Sequence, residues 1–175
     1  MYWTMKLLSE KKALVKLAGL REDFAREMRE GYEHKANSCL TCETPGACCL
    51  DAHFVNVHIS RLEAAAINAK IEGLSGEQRD NVIRRIDSTI VKYELSREGD
   101  TFKQKFACPL FEKGTGCLVH YDGKPAACTV HACYESKADL PPDELQSAQE
   151  QKIDSLNART YGRRDAWLPL PLALK

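Results

Sequence analysis

What this chain has little of narrows its identity before any motif is sought. It has no net charge, since Lys plus Arg and Asp plus Glu both number 25. A domain built to grip phosphate backbone carries a basic excess, so the balance argues against nucleic acid as a partner. Aromatic residues make up only 7% of the chain, which points the same way. No apolar run is long enough to cross a bilayer, so no membrane partner is expected. The opening stretch, MYWTMKLLSEKK, lacks the basic region, apolar stretch and small-residue cleavage site of a secretory leader. The expected compartment is the cytoplasm. There is no P-loop, no nucleophile elbow, no H-E-x-x-H helix and no internal repeat of solenoid length.

What the chain does have is cysteine, eight in 175 residues. Cytoplasmic thiols stay reduced, so such a chain is expected to bind metal rather than to be stapled by disulfides. A disulfide-rich exported protein would need the leader that is missing. The cysteines fall into two groups. Cys39, Cys42, Cys48 and Cys49 lie in SCLTCETPGACCLD, and Cys108, Cys117, Cys128 and Cys133 lie in CPLFEKGTGCLVHYDGKPAACTVHAC. Cys39 and Cys42 form a C-x-x-C pair, whose two intervening residues let both sulfurs turn toward one ion. A redox C-x-x-C usually follows a strand at a helix start, and no strand is expected before this one. Cys48 and Cys49 are adjacent. Neighbours in extended backbone point to opposite sides, so the pair is not expected to serve one tetrahedral ion. Either one is a ligand and the other packs, or the two serve different metals. Simple burial as small apolar residues explains one cysteine well and eight grouped ones poorly.

In the second group, the glycines of KGTGC permit close backbone approach, so amide N–H groups can point at thiolate sulfur. Cys108-Pro109 is also the dipeptide that ends a bacterial ferredoxin cluster run. Cys117-Leu-Val-His120 and Cys128-Thr-Val-His131 offer two Cys/His pairs, although the thiols alone suffice for a site. Eight thiolates suit two four-ligand sites, or one cluster with extra sulfurs. Lys35, Lys103, Lys105, Lys113 and Lys124 flank the cysteines and could offset the negative charge. Asp51, His53 and His58 lie near the first group and could act as acid or base, but hydrogen-bonded or solvated polar residues are the weightier reading.

A chain of this length is most simply one domain, here spanning 1–175. The expected fold is mainly α, with an irregular, loop-rich cysteine and metal core and at most short strands. Helices should flank and bridge the two cysteine-bearing loops, with the cysteine core over about 38–134. An N-terminal helical region is expected over about 6–33, capped at Ser9 and interrupted or ended at Gly19. Beyond it, Leu20, Phe24, Met28 and Tyr32 recur every fourth residue. Val55, Val57 and Ile59 alternate as a short strand would. Ser60 to Glu63 and Ser75 to Gln78 read as capping boxes, the second opening a helix that ends near Arg97. A further helix is expected over about 142–160. The tail, 163–175, is apolar but broken by Pro169 and Pro171, and is expected to lie extended across another surface.

Taken in order, these residues resemble the YkgJ-type cysteine-cluster family. The shared features are C-x-x-C, Cys-Cys, an apolar strand, a helix with Glu in its first turn, CPL, and a final G-x-C-x-V-H…K-P-x-x-C-x-x-x-x-C. The likeness covers about Ser38 to Tyr134. The spacer ETPGA before Cys48 is longer than usual, and Lys124-Pro125 stands where Arg-Pro is usual. The resemblance implies a zinc- or iron-chelating domain whose ligands are the eight cysteines. It also extends to the cysteine-rich part of flagellin lysine methylases, which implies an iron–sulfur cluster, although this chain has no G-x-G-like turn for a methyl donor. All-sulfur ligation and that link favour an iron–sulfur cluster, such as a 4Fe–4S unit, slightly over zinc. The metal-binding reading leaves open an iron–sulfur enzyme or accessory protein, or a zinc-stabilised module with a protein partner.

Overall fold

The computed structural model describes residues 7–38, 43–44, 46–50 and 56–175. The expectations placed on Cys39, Cys42, Asp51, His53 and Val55 lie outside these residues.

The long amphipathic pattern near the start forms α1, Glu10–Gly31. It buries Ala13, Leu17, Phe24 and Met28 along one stripe. The expected interruption at Gly19 does not occur. One glycine inside a helix costs about 1 kcal/mol relative to alanine, while each large apolar side chain buried along the stripe returns about 1.5–3 kcal/mol. The turn is also tied from outside, because Gln149 Nε2 donates to the Leu20 carbonyl at 2.9 Å. Ser9 stands at the N-cap but makes no side-chain capping bond.

Both capping boxes are complete. Ser60 opens α2, Arg61–Glu72, with the Ser60 and Glu63 side chains bonding reciprocally. Ser75 opens α3, Gly76–Lys92, in the same way with Gln78. The α3 helix stops five residues short of the expected end. Glu94 takes a positive φ of 50° and the Leu95 N–H reaches the Ile90 carbonyl at 3.0 Å. That closure turns Leu95 into the core, an apolar contact of the kind that accompanies a helix C-terminus.

Two apolar clusters hold the fold. One joins Ala13, Leu17, Phe24 and Met28 of α1 with Leu62, Ala126, Ile153 and Leu156. The other contains Ala64, Ile67 and Ile71 of α2, Val82 and Ile86 of α3, and Phe106, Leu110, Val119 and Leu170. The α2 helix contributes to both clusters, so it is the wall between them. Its short apolar side chains on more than one face suit a helix covered on both sides. In front of it lies α5, Asp143–Tyr161, which packs chiefly on α1. Within this packing Asn157 Oδ1 accepts the Leu62 N–H at 3.0 Å, satisfying a first-turn donor of α2 from another helix.

The strands are short, as expected. They form three antiparallel pairs among the described residues. Ala36–Asn37 (β1) pairs with Cys133–Tyr134 (β5), His58–Ile59 (β2) with Leu168–Pro169 (β6), and Phe111–Glu112 (β3) with Gly116–Cys117 (β4). One small helix, α4, spans Ala126–Thr129. The tail corrects the expectation of extended chain. Only Leu168–Pro169 is extended, and Leu170–Ala173 closes a helical turn, α6. Pro171 sits in its first turn, where its missing N–H has no intrahelical acceptor to lose. The turn buries Leu170, Leu172 and Leu174 in the second cluster, and Arg97 Nη2 holds the Leu172 carbonyl at 3.0 Å. No helix among the described residues is long and apolar enough to cross a membrane.

Candidate metal centre

The two cysteine groups are far apart in sequence, and α2 and α3 lie between them. The second loop packs on the second apolar cluster through Cys108 and Cys117. A backbone bond joins the two loops directly: the Cys108 N–H donates to the Cys49 carbonyl at 2.8 Å.

The adjacent pair departs from the expected geometry. Ala47–Cys49 is a single 3-10 turn rather than extended chain. Gly46, in the left-handed region at φ 80°, starts it, and the Cys49 N–H closes on the Gly46 carbonyl at 2.8 Å. In this turn the two side chains no longer oppose one another, and the Cys48 and Cys49 thiols hydrogen-bond to each other. The opposite-facing geometry expected of extended backbone therefore does not apply to this pair. Only glycine fits at position 46. A Cβ there would overlap the ring of Phe111, three residues beyond Cys108. The last residues of the long ETPGA spacer thus form the seat on which the second cysteine loop rests.

Five thiols act on one another. Burial, and then the charges of Cys48, Cys108 and Cys117, push the Cys49 thiol up to about 12. Burial pushes Cys108 up to about 12, opposed by the backbone N–H groups of Leu110 and Phe111, which hydrogen-bond its sulfur. Cys117 is raised by burial and receives the Val119 N–H. Cys128, in α4, is raised well above the ordinary thiol value by burial and then by Cys108, with Cys49 and Cys117 adding to it. Amide donors aimed at sulfur stabilise thiolate charge and orient a ligand. Cations also face the group: Lys124 favours ionised Cys117 and Cys128, Lys70 favours Cys117, and Arg85 favours Cys108.

Of the lysines expected to offset this charge, Lys124 does so. Lys103 instead pairs with Asp100 at 3.3 Å, and Lys35 lies over the Tyr32 ring. Sequence reading missed Lys70 and Arg85, because each is an ordinary polar residue on a bridging helix. Arg85 clamps the second loop as well, donating to the Pro109 carbonyl at 2.9 Å and to Glu112 at 3.0 Å.

The remaining candidates are not among these five thiols. Cys133 is exposed, on the β1–β5 ladder opposite Asn37. His120 and His131 are exposed, and the pKa of His131 is lowered by burial and by Lys124, the lysine that also faces Cys117 and Cys128. His58 is buried, stacked on Phe102 with ring centroids 4.3 Å apart, and its Nε2 lies 3.1 Å from Thr101 Oγ1. This is the hydrogen-bonded structural role weighed for it. Among the described residues no three Cys, His, Asp or Glu side chains converge closely enough to hold one metal ion. No family model matches the chain, and no curated protein or solved structure is significantly similar to it.

Proposed function

We propose that this chain is a cytoplasmic metal-binding protein whose clustered cysteines ligate an iron–sulfur cluster. The observation that carries the reading is the meeting of two cysteine-bearing segments, joined by the Cys108 N–H to Cys49 carbonyl bond at 2.8 Å, which sets Cys48, Cys49, Cys108, Cys117 and Cys128 within electrostatic range of neighbouring thiols. Half-buried thiolates repel one another, and a bound cationic centre removes that repulsion. The donor set fits such a centre: all sulfur, two cysteines with backbone N–H groups aimed at them, and three cations facing them. In a tetrahedral zinc site the sulfurs would stand about 3.8 Å apart, given Zn–S bonds near 2.3 Å. A cluster takes one thiolate per iron and spreads its ligands wider. Thiols drawn from three parts of the chain suit that wider arrangement. The order of the cysteines supports the same reading through its resemblance to YkgJ-type domains. When bound, the cluster would supply structural cross-linking and one-electron redox capacity; the chain supplies ligands, N–H donors and counter-charge.

The test is to purify the full chain without oxygen, record its visible spectrum and assay iron, zinc and sulfide. Iron and sulfide together, with broad visible absorption, support the proposal. A colourless protein with stoichiometric zinc replaces the cluster with a zinc site. A metal-free protein that is stably folded overturns metal binding altogether.

A further inference from the structure

A separate cavity of about 650 Å³ opens between α1, α2 and the turn from Val119 to Lys124. Its size is that of a small-molecule site. Its floor is apolar, made by Leu17, Met28, Ile67 and Val119, all buried. Its other walls carry Arg21, Arg29, Lys70 and Lys124 against Glu22, Glu33 and Asp122. Asp122 is already engaged by Lys70, at 3.7 Å.

Arg21 is the unusual member. Its side chain is only 10% exposed. A guanidinium has five N–H donors. Among the described residues its one bond runs from Nη2 to Glu63 Oε1 at 3.4 Å, a long contact. Glu63 Oε2 is taken by the N–H and Oγ of Ser60. Arg21 Nε is buried and has no hydrogen-bond partner among the described residues. Its Nη1 faces Gly123, where an added Cβ would lie 3.7 Å away. If the only role of Arg21 were to neutralise Glu63, a single point charge would suffice, and a planar fork would be left unused. Buried donors without acceptors cost free energy, and a carboxylate is the acceptor whose geometry matches that fork.

We propose that this cavity binds a small organic monocarboxylate, its apolar body on the Leu17–Ile67–Val119 floor and its carboxylate on Arg21, with Lys124 at the side. This site goes beyond the metal reading and does not depend on it. The two meet at Val119, which lines the cavity and whose N–H bonds to Cys117 sulfur.

The test is calorimetric titration of the full chain, as purified, with octanoate, with octanol as the uncharged control and inorganic phosphate as the second anion. Saturable octanoate binding at one site, with neither octanol nor phosphate matching it, is the expected result. Arg21→Gln should weaken it roughly ten- to hundredfold, the loss expected for a charged hydrogen-bond partner. Arg21→Gln also strips Glu63 of its counter-charge and threatens folding. Ala18→Trp, which fills the cavity mouth and leaves that ion pair intact, is the second variant and should abolish binding on its own. Metal content measured on the same samples should be unchanged, which separates this site from the cysteine centre. Absence of saturable octanoate binding, equal binding of octanol, preference for phosphate, or binding unaltered in Ala18→Trp would each overturn the proposal.

Discussion

The same substitution, glycine to alanine, should have three different outcomes at three positions of this chain. At Gly46 the backbone lies at φ 80° and a Cβ would overlap the Phe111 ring. Left-handed backbone costs a residue with a Cβ about 1–2 kcal/mol. Displacing a packed ring adds about 1–3 kcal/mol. Gly46→Ala should therefore lose about 2–5 kcal/mol in all. Gly114 has a similar φ of 87°, but nothing lies within 4 Å of the Cβ position. There only the backbone part, about 1–2 kcal/mol, should appear. Gly19 sits inside α1 with open space at its Cβ, and Gly19→Ala should stabilise by about 0.5–1 kcal/mol. Urea unfolding followed by far-ultraviolet circular dichroism reads all three as midpoint shifts at constant m. The informative quantity is the gap between Gly46→Ala and Gly114→Ala, since backbone strain cancels in it. If the two lose equally, Phe111 does not rest on Gly46 and the described docking of the two cysteine loops is wrong.

Further outcomes follow from single contacts. Burial raises the Glu63 carboxyl above its ordinary value of 4.5 despite the facing Arg21. The folded state therefore holds this proton more tightly than the unfolded state, and stability should fall as pH rises from about 4.5 through the raised folded value. Glu63→Gln should flatten that slope in unfolding curves taken from weakly acidic to neutral pH; an unchanged slope refutes the assignment. Asn157→Ala leaves the buried Leu62 N–H without its acceptor and should cost about 1–3 kcal/mol, with faster amide exchange at Leu62. Arg85→Ala removes the bond to the Pro109 carbonyl and, on the proposed metal reading, should lower metal content more than Glu112→Ala, which loses only the exposed ion pair, worth about 0–1 kcal/mol. Equal metal content in the two variants would show that the clamp on Pro109 does not position Cys108.

Local rules carried the helices. Ser60 and Ser75 name their own helix starts, because both halves of each capping box lie within four residues. The every-fourth spacing of Phe24 and Met28 marked a buried stripe that the fold uses. Where the expectation broke, a distant contact decided. Gly19 stays helical because α5 and the shared core hold its neighbours. The tail curls at Leu170 because three leucines find an apolar cluster assembled from α2, α3 and the second loop. The adjacency of Cys48 and Cys49 was visible, but the turn that lets their thiols meet depends on a glycine conformation and on a ring sixty-odd positions away. Arg21 and Glu63 show the same limit. Glu63 could be read as a capping residue from its spacing, but its complete burial opposite an arginine of another helix had no local signal.

The bond between Cys108 and Cys49 has a consequence for how the chain reaches this state. It closes a loop of roughly 60 residues, and bringing such ends together costs about 4 kcal/mol of chain entropy. Both α2 and α3 lie inside that loop, and their capping boxes let each helix begin from its own sequence. The order of events implied is helices first, closure second. Ligands drawn from both ends of the loop would make a bound metal act like a removable cross-link. It would leave the pre-formed helices nearly as they are and chiefly slow the reopening of the chain, so its loss should show first in the unfolding rate.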